Sequence, residues 1–192
     1  PLSVAGAYES AKTAYEKARE LSPTNPQIPF IIAQLEIAHK NIKGAKESLK
    51  TAITLKQDFT DAIFLLSKLE VQDGNVKEAL AAALAAAYFT PNNPSILFQV
   101  GILSAAQGDY VSATSALTDA IAANQEFANA RYFLAVVYAK RGDMQNALAQ
   151  METIANMSSG NAKAVATELT ALRAGKNPFP QNLLSVSPAP VK

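Results

Sequence analysis

Moving along the chain in strides of 34 residues lands repeatedly on the same kind of side chain. Ala11, Ala45, Ala79, Ala113 and Ala147 form one column, and Ala18, Ala52, Ala86 and Ala120 form a second that ends at Ile154. Ala33, Ser67, Gly101 and Ala135 form a third, again of small residues. Turn residues keep the same step: Gly74-Asn75, Gly108-Asp109 and Gly142-Asp143, with Lys40-Asn41 one stride earlier. A period in this range means an array of units, each burying an apolar face against the next.

Two helices fit inside one stride. From Ser95 to Gln107, Ile96, Leu97, Val100, Ile102 and Leu103 recur at helical spacing. Gly108-Asp109 interrupts, glycine freeing the backbone and aspartate offering a cap to the helix that follows. From Tyr110 to Ala123 the residues Tyr110, Ala113, Leu117, Ala120 and Ile121 make one apolar stripe. Small residues at Gly101, Ala113 and Ala120 predict a close approach of the two helices, with Ala113 facing Gly101. The predicted units are 26–59, 60–93, 94–127 and 128–161. Residues 1–25 hold the second helix of a leading unit, 162–174 a single capping helix, and 175–192 a tail. That tail has four prolines in 18 residues and cannot continue the helices. Opening at Pro1 on half a unit reads as a segment of something longer.

The period also decides what Arg141-Gly142-Asp143 is. An adhesion receptor reads this tripeptide on an extended loop, whereas here it is the turn between the two helices of the fourth unit.

Composition narrows the chemistry. Lys and Arg total 17 against 16 Asp and Glu, without blocks of either sign, so the basic surface that nucleic acids require is missing. There is no cysteine and one histidine, His39, which leaves no set of metal ligands; His39 is predicted to face solvent at the end of a helix. No apolar run reaches the ~18 residues of a membrane span. Neither a nucleophile elbow nor a phosphate-binding loop appears; "AAQGDY" carries too few glycines, and "MSSGNAK" reads as a connection with a helix cap. Glu36 and Glu70 share a column and are predicted partners of nearby lysines rather than an acid–base pair. The sequence therefore predicts no catalytic residue, no cofactor and no metal.

The columns resemble the tetratricopeptide repeat, whose pattern places a small residue in the first helix, Gly-Asp-aromatic at the turn, two alanines in the second helix and a closing proline. Gly101, Gly108-Asp109-Tyr110, Ala113 and Ala120 match it, and Pro23 and Pro91 supply the proline in two units. The family's tryptophan position holds Pro29, Ile63, Leu97 and Arg131 instead. The resemblance implies an all-α fold, a right-handed α-solenoid of antiparallel helix pairs, with first helices lining a concave groove. Carried over, the groove columns are Phe30, Phe64, Phe98 and Tyr132, then Gln34, Lys68, Ile102 and Val136. Aromatics at this position also pack against the neighbouring unit, and periodicity alone does not separate the two roles. Tetratricopeptide modules that grip a C-terminal carboxylate use Lys and Asn where this chain has Phe30, Phe64, Gln34 and Lys68, so chaperone-tail binding is not expected.

The leading expectation is a non-catalytic scaffold binding a protein or peptide segment in that groove. A second comes from "FTDAIFLLSKLEVQDGNVKEAL" and "LTALRAGKNPF", which resemble repeat regions that follow the membrane spans of bacterial O-antigen-ligase-like proteins. That resemblance implies an accessory domain at the cell envelope, where a cytoplasmic protein is otherwise expected. A third is homo-association, through the leading half-unit at Tyr8, Ala11, Tyr15 and Ala18 or through the tail run "NPFPQNLL".

Overall fold

The computed structural model describes residues 4–180; residues 181–184, the second half of the tail run 177–184, lie beyond them. Every regular element among the described residues is a helix. The chain divides into two compact units, Pro1–Phe89 and Thr90–Lys192. The first contains α1 (Val4–Leu21), α2 (Gln27–Ala38), α3 (Ile42–Leu55), α4 (Thr60–Gln72) and α5 (Val76–Phe89). The second contains α6 (Pro94–Ala106), α7 (Tyr110–Ala123), α8 (Ala128–Lys140), α9 (Met144–Met157), α10 (Ser159–Ala164) and α11 (Ala166–Arg173). In each unit the helices pack as successive pairs, α2 with α3 and α4 with α5, then α6 with α7 and α8 with α9. The fold is the all-α, helix-pair class that the period predicts.

The columns of small residues are the pair interfaces. Ala33, Ser67 and Ala135 are fully buried, as are Ala45, Ala79, Ala113 and Ala147 opposite. A Cβ placed on Gly101 would lie 2.6 Å from Leu117 Cγ and 3.4 Å from the Ala113 carbonyl oxygen, so glycine is what lets α6 sit on α7. Ser67 is a polar member of its column, and its hydroxyl is satisfied by donating to the Ala79 carbonyl at 2.8 Å across the pair.

The turns repeat one hydrogen-bond pattern. After each first helix a residue takes positive φ: Lys40 at 60°, Gly74 at 78°, Gly108 at 83° and Gly142 at 82°. The next residue's N–H returns to the helix, as in Asn41 to the Glu36 carbonyl and Asp143 to the Tyr138 carbonyl, both 2.9 Å. That same residue caps the second helix: Asn41 accepts from the Gly44 N–H, Asp109 from Ser112 and Asp143 from Asn146. Arg141-Gly142-Asp143 is thus a helix–helix corner. Asn146 bonds the Asp143 carboxylate through both its side chain and its backbone N–H, holding that acid below its ordinary pKa.

The segment after α9 departs from the sequence reading. In place of one helix over 162–174 there are two, α10 and α11, separated at Val165 (φ −105°, ψ 9°). Helix α10 starts earlier because Ser158 caps it, its hydroxyl accepting the Asn161 N–H at 3.1 Å. Val165 is fully buried, and both short helices pack on α9. A straight helix of this length would bring only one stretch of itself against α9, so the break exchanges helical continuity for packing.

Candidate functional site

In the first unit, Phe30 on α2 and Phe64 on α4 are half-buried. The Phe30 ring sits 4.9 Å from that of Phe59, tilted by 49°, and Phe59 is itself buried. One face of Phe30 is therefore fixed from behind while part of its surface stays accessible. Phe64 carries the Lys68 ammonium 4.4 Å above its ring centre, a cation–π contact at an exposed site. Gln34 and Lys68, one helical turn further on, are exposed.

The same two helices, α2 and α4, each carry a charge clasp. The Glu36 carboxylate, 4% exposed, accepts from Tyr8 at 2.9 Å and from Asn41, and pairs with Lys12 at 2.8 Å. Glu70 pairs with Lys46 at 2.7 Å and accepts from Asn75 at 2.7 Å, and Lys46 also meets Asp73. Burial pushes both acids up, but these donors outweigh it and hold each below the usual carboxylate range. Each acid is spent in its own clasp, so the two make no acid–base pair, and the partners are lysines as predicted. The sequence signal for the full clasp is a further set of 34-residue columns: Lys12 and Lys46, Glu36 and Glu70, Asn41 and Asn75. His39 is exposed at the end of α2, its ring stacked on Tyr8 with centres 3.7 Å apart.

The second unit treats the same columns differently. Phe98 and Ile102 on α6 are half-buried, with Phe98 backed by Phe127 at 5.0 Å and Phe133 at 5.5 Å. Tyr132 and Val136 on α8 are buried, at 8% and 0% exposure. Cover over Tyr132 comes from downstream. Glu168 on α11 accepts the Tyr132 hydroxyl hydrogen bond at 3.2 Å, and the Phe179 ring meets Tyr132 edge-to-face at 5.8 Å. The rings Phe127, Phe98, Phe133, Tyr132 and Phe179 make one continuous chain of contacts. Of the predicted site residues, Phe30, Gln34, Phe64, Lys68, Phe98 and Ile102 keep accessible surface, and Tyr132 and Val136 do not.

Burial, reinforced by the Glu168 charge and hydrogen bond, pushes the Tyr132 phenol up to about 12. A raised folded value means that the contact stabilises fully below the ordinary tyrosine pKa of ~10 and is lost as pH rises through about 12. Ultraviolet titration should show a tyrosine ionising about two pH units late, and Tyr132→Phe should remove that step. If Tyr132→Phe leaves the curve's late portion unchanged, Tyr132 is not the buried phenol that ionises late.

No group of three or more potential metal ligands occurs among the described residues, and none of their helices is long and apolar enough to cross a membrane.

Residues 104–171 match the sequence profile of the tetratricopeptide repeat family. Solved structures share the architecture. YrrB, described as a tetratricopeptide repeat protein with an unusual peptide-binding site, is 22% identical over 84% of each chain, with a TM-score of 0.74. MamA is 18% identical over 78% of this chain and 91% of its own, with a TM-score of 0.69. MamA from Desulfovibrio magneticus RS-1 is 12% identical over 88% of each chain, with a TM-score of 0.67. At these identities the likeness is one of fold. No curated protein matches the sequence.

Proposed function

We propose that the chain, which carries the tetratricopeptide repeat profile over residues 104–171 and shares that fold, is a protein-interaction scaffold whose first-helix faces bind an extended or helical apolar segment of a partner. The observation that carries the reading is the state of Phe30, Phe64 and Phe98. Each is half-buried, and two are braced by other rings, Phe30 by Phe59 and Phe98 by Phe127 and Phe133. A braced ring has little side-chain entropy left to lose, so its remaining surface contributes to affinity at low cost. Lys68 over Phe64 and the exposed Gln34 supply the polar groups that set a segment's direction. The peptide-binding site ascribed to YrrB gives the same fold a comparable use.

The test is selection of displayed peptides on the unmodified chain, followed by measurement of their affinity for Phe98→Ala and Phe64→Ala variants of unchanged helicity. Removing a true aromatic anchor costs about 2 kcal/mol or more, roughly a thirtyfold rise in Kd. Peptides that bind both variants as well as the parent would place the binding surface elsewhere.

A further inference from the structure

Helix α11 ends like every first helix before it. Gly175 takes φ 71°, and the Lys176 N–H returns to the Ala171 carbonyl at 2.9 Å, the bond that Asn41, Asn75, Asp109 and Asp143 make in the earlier turns. In those turns a second helix then starts. Here the capping position is Lys176, Pro178 and Pro180 follow, and residues 176–180 form no helix. The segment instead returns to α8.

Phe179 joins the same hydrophobic cluster as Tyr132 and Val136, but it enters from a short segment that is otherwise little buried. Between Arg173 and Pro180, Phe179 alone is buried, at 6% exposure, while Lys176, Asn177 and Pro180 around it are exposed. Asn177 folds the segment into a tight turn by accepting the Phe179 N–H at 3.0 Å. Its side-chain amide also reaches the Ala139 carbonyl at the end of α8, a long contact of 3.5 Å. The two points of contact on α8 are Tyr132 and the Ala139 carbonyl, on the helix that corresponds to α2, α4 and α6 with their half-open faces.

We propose that this face of α8 is a binding site for a partner segment of Asn-Pro-aromatic chemistry, held in cis by the chain's own Asn177-Pro178-Phe179. The proposal rests on the reading of first-helix faces as segment-binding surfaces and names the ligand chemistry for one of them. The turn made by Asn177 is local, so a peptide with the same three residues forms it without the rest of the chain. The ring is the anchor, and edge-to-face contact with Tyr132 gives it a preferred orientation. The amide marks the direction of the segment along α8. A partner carrying this motif competes with the chain's own copy, and its apparent affinity is reduced by the fraction of time the cis segment is seated.

The probe is a fluorescent synthetic peptide of residues 175–180, Gly-Lys-Asn-Pro-Phe-Pro, titrated into the unmodified full chain and into its Phe179→Ala variant. The variant is expected to bind at least tenfold more tightly than the parent, and a peptide with alanine in place of its phenylalanine should bind neither. Equal binding to both chains, or no binding to a variant of native helicity, overturns the proposal. Loss of helicity in Phe179→Ala overturns it as well, because the ring would then be a structural part of the core; Asn177→Ala, which keeps the ring, should in the proposed case give an intermediate gain. Selection on the Phe98→Ala variant reads the α6 face separately, so the failure of either idea leaves the other standing or falling on its own result.

Discussion

Replacing Lys46 with methionine is expected to destabilise the first unit by about 3–5 kcal/mol, the usual cost of leaving a buried charge without its partner. The Glu70 carboxylate is 8% exposed, and burial alone would raise its pKa. Asn75, Lys46 and the positive charge of Lys50 reverse the sign. With Lys46 gone, Asn75 still donates and Lys50 still contributes charge, but the buried acid has lost its ion-pair partner, and it either takes up a proton or forces α3 and α4 apart. The pH dependence follows the same sign. A depressed carboxylate stabilises the fold above its unfolded pKa of ~4.3 and ceases to do so as pH falls through the lower folded value. The parent should therefore lose stability on acidification below that range, and Lys46→Met should flatten this part of the curve while lowering the plateau. The double variant Lys46→Met, Glu70→Met should recover most of the loss, since an apolar pair of similar volume carries no desolvation cost. Urea unfolding at neutral and acid pH provides the readout. A loss under about 1 kcal/mol in the single variant would show that the ammonium is not what compensates Glu70.

The second large effect is at the α6–α7 contact. Leu117 is fully buried, and Leu117→Ala should cost about 2–5 kcal/mol through lost burial and the cavity left behind. Gly101→Ala acts in the opposite direction, because its new Cβ would fall 2.6 Å from Leu117 Cγ; overpacking of this kind costs about 1–3 kcal/mol. The two changes are complementary, since alanine at 117 removes the atoms that alanine at 101 would strike. The double variant should thus be more stable than the sum of the single losses implies, with a coupling of about 0.5–3 kcal/mol. Strict additivity would mean that the two positions do not share the space assigned to them. Unfolding is best followed with more than one probe, because helix-pair arrays do not always melt as one unit.

The features legible in the sequence were those that repeat. Ala113 against Gly101, the positive-φ turns and the corner at Arg141-Gly142-Asp143 all follow from a stride of 34, because each unit makes the same contact. Less visible was the cover over Tyr132. It comes from Glu168 and Phe179, which have no counterparts one stride away, so no column announces it. Phe179 looked like part of a proline-rich tail, since prolines exclude a helix but say nothing of where a single ring will seat. The break at Val165 escaped for a related reason: the helical pattern of 162–174 is good locally, and packing on α9 overrides it. Lys12 and Lys46 were in plain register, but a helical pattern states which residues share a face, not which neighbour that face will meet.

The left-handed turn at Gly175 has a bearing on how such a chain changes length. Its backbone geometry and its returning hydrogen bond match those of the four earlier corners, so α11 ends in a form that another helix could follow. What diverts the path is confined to a few side chains: a lysine where Asn or Asp would cap, and two prolines beyond it. A helix continuing from this corner would need a different capping residue and would draw Phe179 off Tyr132, while the corner itself could stay as it is. The divergence between a corner that starts a second helix and this one therefore lies in the residues after the turn, not in the backbone that precedes it.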